Sequence, residues 1–198
     1  MSYTLEDAER EAGEERLISQ VLEDHRDVIV AEFVEDRLAS YYEEHPDLSL
    51  PAEQALARAR KTFDVSYSAS LVFAFSSTEI AIQDLLLKPV VVGLTHNPDL
   101  SDLMAALIDI RSRQTEKFLL YIMDEVGLPN IKEQKLPNGH SIWKEKNIIQ
   151  DVRNKVLHRG TSASKEETER ALVLGEYVLH ELYPTVRDHF TYRSTGWI

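Results

Sequence analysis

The chain has 198 residues, 43% of them hydrophobic, and a formal net charge of −12 at pH 7; this suits one domain with a sizeable core. It holds no cysteine, which excludes disulfides, cysteine-ligated zinc and iron–sulfur clusters. The opening "MSYTLEDAER" is too acidic and polar for a secretory leader, and no apolar run approaches the ~20 residues of a membrane span, so a cytoplasmic protein without a membrane segment is expected.

Residues 1–47 hold 15 acidic side chains against 4 arginines, a local charge of −11, and spacing of apolar residues at three and four positions predicts a helix over roughly 4–45. His45-Pro46 ends it, because a residue before proline avoids the α region. A second helix is expected to start near Ser49 and Pro51 and to run to Lys88, with Phe63, Tyr67, Leu71, Ala74, Thr78, Ile82 and Leu85 as one stripe. Pro89 breaks it, and "VVVGL" reads as a short connector. A third helix follows Pro98 and closes at Gly127. Residues 128–143, with two prolines and the turn signature "PNGHS", make a loop of hairpin type. In "WKEKNIIQDVRNKVLH" the residues Trp143, Ile148, Ile149, Val152, Val156 and Leu157 recur at helical spacing, and Gly160 stops the segment. Ser164 and Glu167 form a capping box that opens a last helix with Leu172, Leu174, Tyr177, Val178 and Leu182 on its core face, which Pro184 kinks or ends. The expected fold class is therefore all-α, divided into an acidic helical extension over 1–50, a helical domain over 51–190 and a tail over 191–198.

Chemistry concentrates in "DVRNKVLHRG", residues 151–160. Residues 132–159 carry a local charge of +4 in an otherwise acidic chain, so the overall acidity does not exclude a polyanionic ligand. On a helix Asn154 and His158 lie one turn apart on one face, so the amide can orient the imidazole. Arg153 and His158 are about 140° apart around the axis. They meet on one small target through the long arginine stem, a distorted last turn or a second copy of the chain. Histidine suits proton transfer near neutrality, and arginine presents a fixed positive fork to phosphate oxygens. Together they suit RNA cleavage without a metal, in which the ribose 2′-OH attacks and the products carry a 2′,3′-cyclic phosphate and a 5′-OH. No cofactor is implied, and the histidine spacing makes no metal site.

"RNKVLH", preceded by an amphipathic helix and followed by glycine and another helix, resembles the signature of the HEPN superfamily, named for higher eukaryotes and prokaryotes nucleotide-binding. The resemblance covers residues 60–190 and implies a HEPN-like helical bundle, with the acidic amino-terminal segment as an addition. It implies a homodimer in which two motifs share one cleft, and RNA as substrate. It further implies metal-independent endoribonuclease activity of the kind found in toxin–antitoxin, abortive-infection and CRISPR-associated systems, with an antitoxin or other regulatory protein as a partner. Arg153, Asn154 and His158 match the pattern residue by residue as phosphate binder, orienter and general acid/base. Glu79, in "LVFAFSSTEIAIQDLLL", stands where the family often has an acid, and its expected role is to bond or place Arg153, against a plain exposed or capping glutamate. Lys144, Lys146, Lys155 and Arg159 are candidate RNA phosphate contacts, and His140 in the loop is a further substrate contact. Trp143 stacks on a base or packs in the core. Some family members are non-catalytic, so a module that binds a nucleotide or a protein is the competing reading.

Overall fold

The computed structural model describes residues 36–95, 99, 100, 103, 120, 121 and 134–194. The amino-terminal helix enters this range only as α1, over 36–44; the helix expected between Pro98 and Gly127 lies outside it, apart from helical turns at 99–100, 103 and 120–121. The remaining elements are α2 (Leu50–Thr62), α3 (Tyr67–Ile80) continuing through a π segment (Ala81–Leu87) into α4 (Lys88–Leu94), α5 (Ile142–Arg159), α6 (Lys165–Tyr177), a second π segment (Val178–Leu182) and α7 (Tyr183–Ser194). The protein is an all-α bundle, and among the described residues the nearest thing to a strand is one antiparallel bridge between Lys135 and Ser141.

The helix expected from Ser49 to Lys88 is two helices. Thr62 turns its hydroxyl back onto the carbonyls of Arg58 and Ala59 (2.9 and 3.1 Å), which competes with continuation of α2. Ser66, in extended backbone, caps α3 by accepting from the Ala69 N–H. Phe63 thus sits in the turn and meets Tyr67 edge-on, with ring centroids 5.3 Å apart.

Helix α3 is the centre of the bundle and packs on α2, α5 and α6. Its small polar residues bring the neighbours close while bonding their buried hydroxyls: Ser70 and Ser77 donate to the α2 carbonyls of Ala59 and Ala52, at 2.8 and 2.7 Å. On the other side Thr168 of α6 donates to the Tyr67 carbonyl at 3.1 Å. Gly175 marks the closest approach: a Cβ there would lie 3.3 Å from both the Ala74 carbonyl oxygen and Leu56 Cδ1. A backbone carbonyl cannot step aside as a side-chain end can. Gly175→Val is therefore expected to lower the unfolding free energy by about 1–3 kcal/mol, read from urea melts.

Neither Pro89 nor Pro184 ends its helix. Each follows a π segment in which the backbone N–H of the preceding residue reaches back five positions, Lys88 to the Gln83 carbonyl and Tyr183 to the Val178 carbonyl. The wider turn gives the proline ring room that an α turn denies it. "VVVGL" is accordingly helical, within α4. Pro89 also leaves the carbonyl of Leu85 without its usual i+4 partner. Buried Tyr42 of α1 supplies one, its hydroxyl donating to Leu85 O at 2.8 Å. Burial, with Tyr183 and Tyr41 nearby, raises the Tyr42 phenol well above its ordinary pKa, so it remains a donor. Tyr42→Phe should cost about 1–3 kcal/mol in the same melts, because it strands that carbonyl.

Tyr67–Gly93 is long and apolar enough to cross a membrane by length and composition, with a mean hydropathy of 1.3 in its best window, and 61% of that window is buried within the bundle. Charged Glu79, Asp84 and Lys88 break this helix, so it meets that standard as a mean over a window and not as an unbroken apolar run.

Candidate functional site

Helix α5 carries the motif. Ser141 caps its start, accepting from the Lys144 N–H at 3.3 Å, and Gly160 closes it in the left-handed region, with φ of 65°. The capping box that opens α6 is complete: Glu167 N–H donates to Ser164 Oγ at 3.2 Å and Ser164 N–H to Glu167 Oε2 at 2.8 Å. The loop between these two helix ends leaves the foot of α5 open to solvent.

Arg153 is 19% exposed and faces α3, where its Nη2 lies 3.8 Å from Glu79 Oε2. That is an ion-pair distance rather than a hydrogen bond. Its Nη1 donates to Asn154 Oδ1 at 3.2 Å, and its Nε is buried without a hydrogen-bond partner. The amide expected to orient His158 is thus turned towards Arg153 instead. The arginine stem is long enough to fold back over the neighbouring residue, which the one-turn spacing of Asn154 and His158 does not reveal. His158 is exposed, and no hydrogen bond to another described residue holds its ring. Leu157, expected in the core with Val152 and Val156, is 48% exposed. Arg153 and His158 therefore leave the helix in different directions within one chain, one braced against the bundle and the other in solvent.

Lys144, Lys155 and Arg159 are exposed, and so accessible to a phosphate. Lys146 is not: it is 1% exposed, with Nζ donating to Gln150 Oε1 at 3.3 Å, and the expectation of an RNA contact there is corrected. Position 146 shares the inner face of α5 with Ile142 and Ile149, at steps of four and three, so helical geometry places it inward. Trp143 is likewise buried, in the core rather than free to stack on a base.

A second polar cluster escaped the reading of the sequence. Glu145, 0% exposed, accepts from Arg170 of α6 through both oxygens, Nε at 2.6 Å and Nη2 at 2.9 Å. His140 Nδ1 lies 2.7 Å from Glu145 Oε2, so the ring is pinned by the buried carboxylate rather than free for substrate. Burial pushes the Glu145 carboxyl up, but the Arg170 and His140 hydrogen bonds outweigh it and hold the group below its usual range. Glu145 also lies on the Ile142–Ile149 face. Two adjacent charges at core-facing positions were the signal that something inside must pair with them.

Among the described residues no group of three or more His, Cys, Asp or Glu side chains is placed to hold a metal ion. No family model, curated protein or solved structure matches the chain.

Proposed function

We propose that the protein is a metal-independent endoribonuclease of the HEPN type, working as a dimer. The observation that carries the reading is the pair at the foot of α5: a guanidinium braced by Glu79 and Asn154, and, five residues on, an exposed imidazole with no hydrogen-bond partner among the described residues. A braced guanidinium is preorganised for the charge that develops on a phosphorane, and a free imidazole can move a proton to or from the reacting oxygens. RNA brings its own nucleophile, the 2′-OH, so these two groups complete the requirements of the reaction. The divergence of Arg153 and His158 around α5 is the reason for the dimer: a second chain related by a two-fold axis brings its own pair to the same cleft. Exposed Leu157, beside His158, gives such a contact an apolar centre. Lys144, Lys155 and Arg159 would add phosphate contacts that position the strand without reading its sequence.

The test is incubation of the purified chain with labelled RNA in EDTA, followed by analysis of the ends. Products with 2′,3′-cyclic phosphate and 5′-OH ends, and no cut in a strand whose nucleotides are all 2′-deoxy, are expected. Intact RNA over a range of sequences would discard the enzyme. The Arg153–Glu79 contact also suits the competing module that binds a nucleotide or protein without turnover, because it supplies a structural reason for the arginine. Intact RNA together with saturable nucleotide binding would select that module.

A further inference from the structure

The last turns of α5 set three exposed polar side chains on one line, Asp151, Lys155 and His158. Steps of four and three residues keep them on one face, and the seven-residue interval returns to within about 20° of its first direction while rising about 10 Å. The same line runs back a further seven residues to exposed Lys144. Asp151 is its one acid. The spacing of Asp151 and Lys155 would allow an ion pair, yet neither side chain bonds another described residue. We infer that Asp151 determines specificity beside the Arg153–His158 pair, reading a guanine base near the scissile phosphate of single-stranded RNA. This rests on the reading of that pair as an RNA-cleaving site.

A strand that follows α5 from His158 passes Lys155, which attracts a phosphate, and then Asp151, which repels one. At Asp151 the strand is therefore favoured with a base, and not its backbone, against the helix. A carboxylate offers acceptors and no donor. On its Watson–Crick edge guanine presents N1–H and N2–H side by side, one for each carboxylate oxygen. Adenine and cytosine present one amine beside a ring-nitrogen acceptor, and uracil one N–H between two carbonyls. Each of these sets an acceptor against the carboxylate, so guanine alone makes two bonds without a repulsive contact. That edge is occupied in a duplex, which restricts the substrate to unpaired nucleotides. The interval from Asp151 to His158 places the base within about three nucleotides of the cut even for a fully stacked strand.

Fluorescence anisotropy at physiological ionic strength tests it, with the full chain and two 2′-deoxyuridine oligomers. One carries a single central guanine; the other carries hypoxanthine there, which lacks only the N2 amine. The guanine strand is expected to bind at least about tenfold more tightly. Asp151→Asn, at an exposed position whose side chain bonds no described residue, should bring that ratio to about twofold or less, while Glu166→Gln, which removes the same charge from an exposed position on α6, should leave it unchanged. Equal binding of the two strands by the wild type, a ratio that survives Asp151→Asn, or one that falls as far in Glu166→Gln would each overturn the role of Asp151. The strands have no 2′-OH and are not cut, so the ratio is read apart from the chemistry. The second arm is an RNA of uridines with one guanine, in which cuts should cluster near the guanine. A guanine preference in binding with no RNA cut would retire the enzyme and keep Asp151 as the reader of a bound strand. Cuts spread evenly along the uridines would retire Asp151 and keep the enzyme, and a chain that binds neither strand would overturn both.

Discussion

Arg170→Met is expected to lower the unfolding free energy by about 3–5 kcal/mol at neutral pH, the largest stability loss of any single substitution considered. The size follows from what remains. Glu145 is fully buried, and among the described residues its hydrogen-bonding neighbours besides Arg170 are His140 and the Asn138 side chain. Arg170 is 27% exposed, so removal of its partner leaves it access to water. The reciprocal change, Glu145→Met, should therefore cost less, and that asymmetry separates a buried ion pair from a mere packing defect. The pH dependence has a definite sign. In the wild type the Glu145 carboxyl is held below its usual range, so its contribution is present above the unfolded-state pKa, about 4, and is lost as pH falls through the lower folded-state value. In Arg170→Met burial is no longer outweighed, the carboxyl titrates above its unfolded value, and the folded state gains proton affinity. The gap between wild type and variant must shrink as pH falls from neutrality. Urea melts at a series of pH values measure it; a gap that is constant with pH, or two substitutions of equal cost, would show that the pair does not act as a buried charge couple.

The same cluster shows where sequence reading stops. Helix periodicity found α5 and α6, and the end of the one and the start of the other, because Gly160, Ser164 and Glu167 act through local backbone chemistry that needs no tertiary contact. It failed at Thr62–Ser66, where a hydroxyl folded onto the preceding turn outcompetes a continuous apolar stripe. It failed again at Pro89, because the penalty for proline assumes an α turn and the chain supplies a π turn with Tyr42 as the substitute donor. At the site, the pairing of Glu79 with Arg153 was legible only by resemblance, since the two residues are far apart in sequence and meet through the packing of α3 on α5. Lys146 was misread by type. A lysine is ordinarily exposed, but the face it occupies on the helix was the better guide. Asn154 was misread by spacing, because one-turn geometry says which residues can meet and not which partner prevails.

On the proposed reading, Arg153→Ala and His158→Ala should each reduce RNA cleavage at least about a hundredfold while leaving the bundle folded. The more discriminating expectation concerns their mixture. One chain sends the two side chains to different sides of α5, Arg153 against α3 and His158 into solvent. A cleft built by one protomer alone would need both groups of that chain intact, and a mixture of the two variants would then be as inactive as either. A cleft shared across a two-fold axis holds two guanidiniums and two imidazoles, and a heterodimer of the variants keeps one of each. Co-expression of differently tagged chains, followed by tandem purification, isolates that heterodimer. Its cleavage rate should exceed that of either homodimer by a wide margin, and Leu157→Glu, which places a charge in the apolar centre of the contact, should abolish the recovery along with the dimer itself. Sedimentation reports the assembly and the cleavage rate reports the chemistry, so the two can fail separately. A heterodimer that forms but does not cut would remove the shared cleft, and a monomer that cuts at the wild-type rate would place both groups on one phosphate despite the 140° between them.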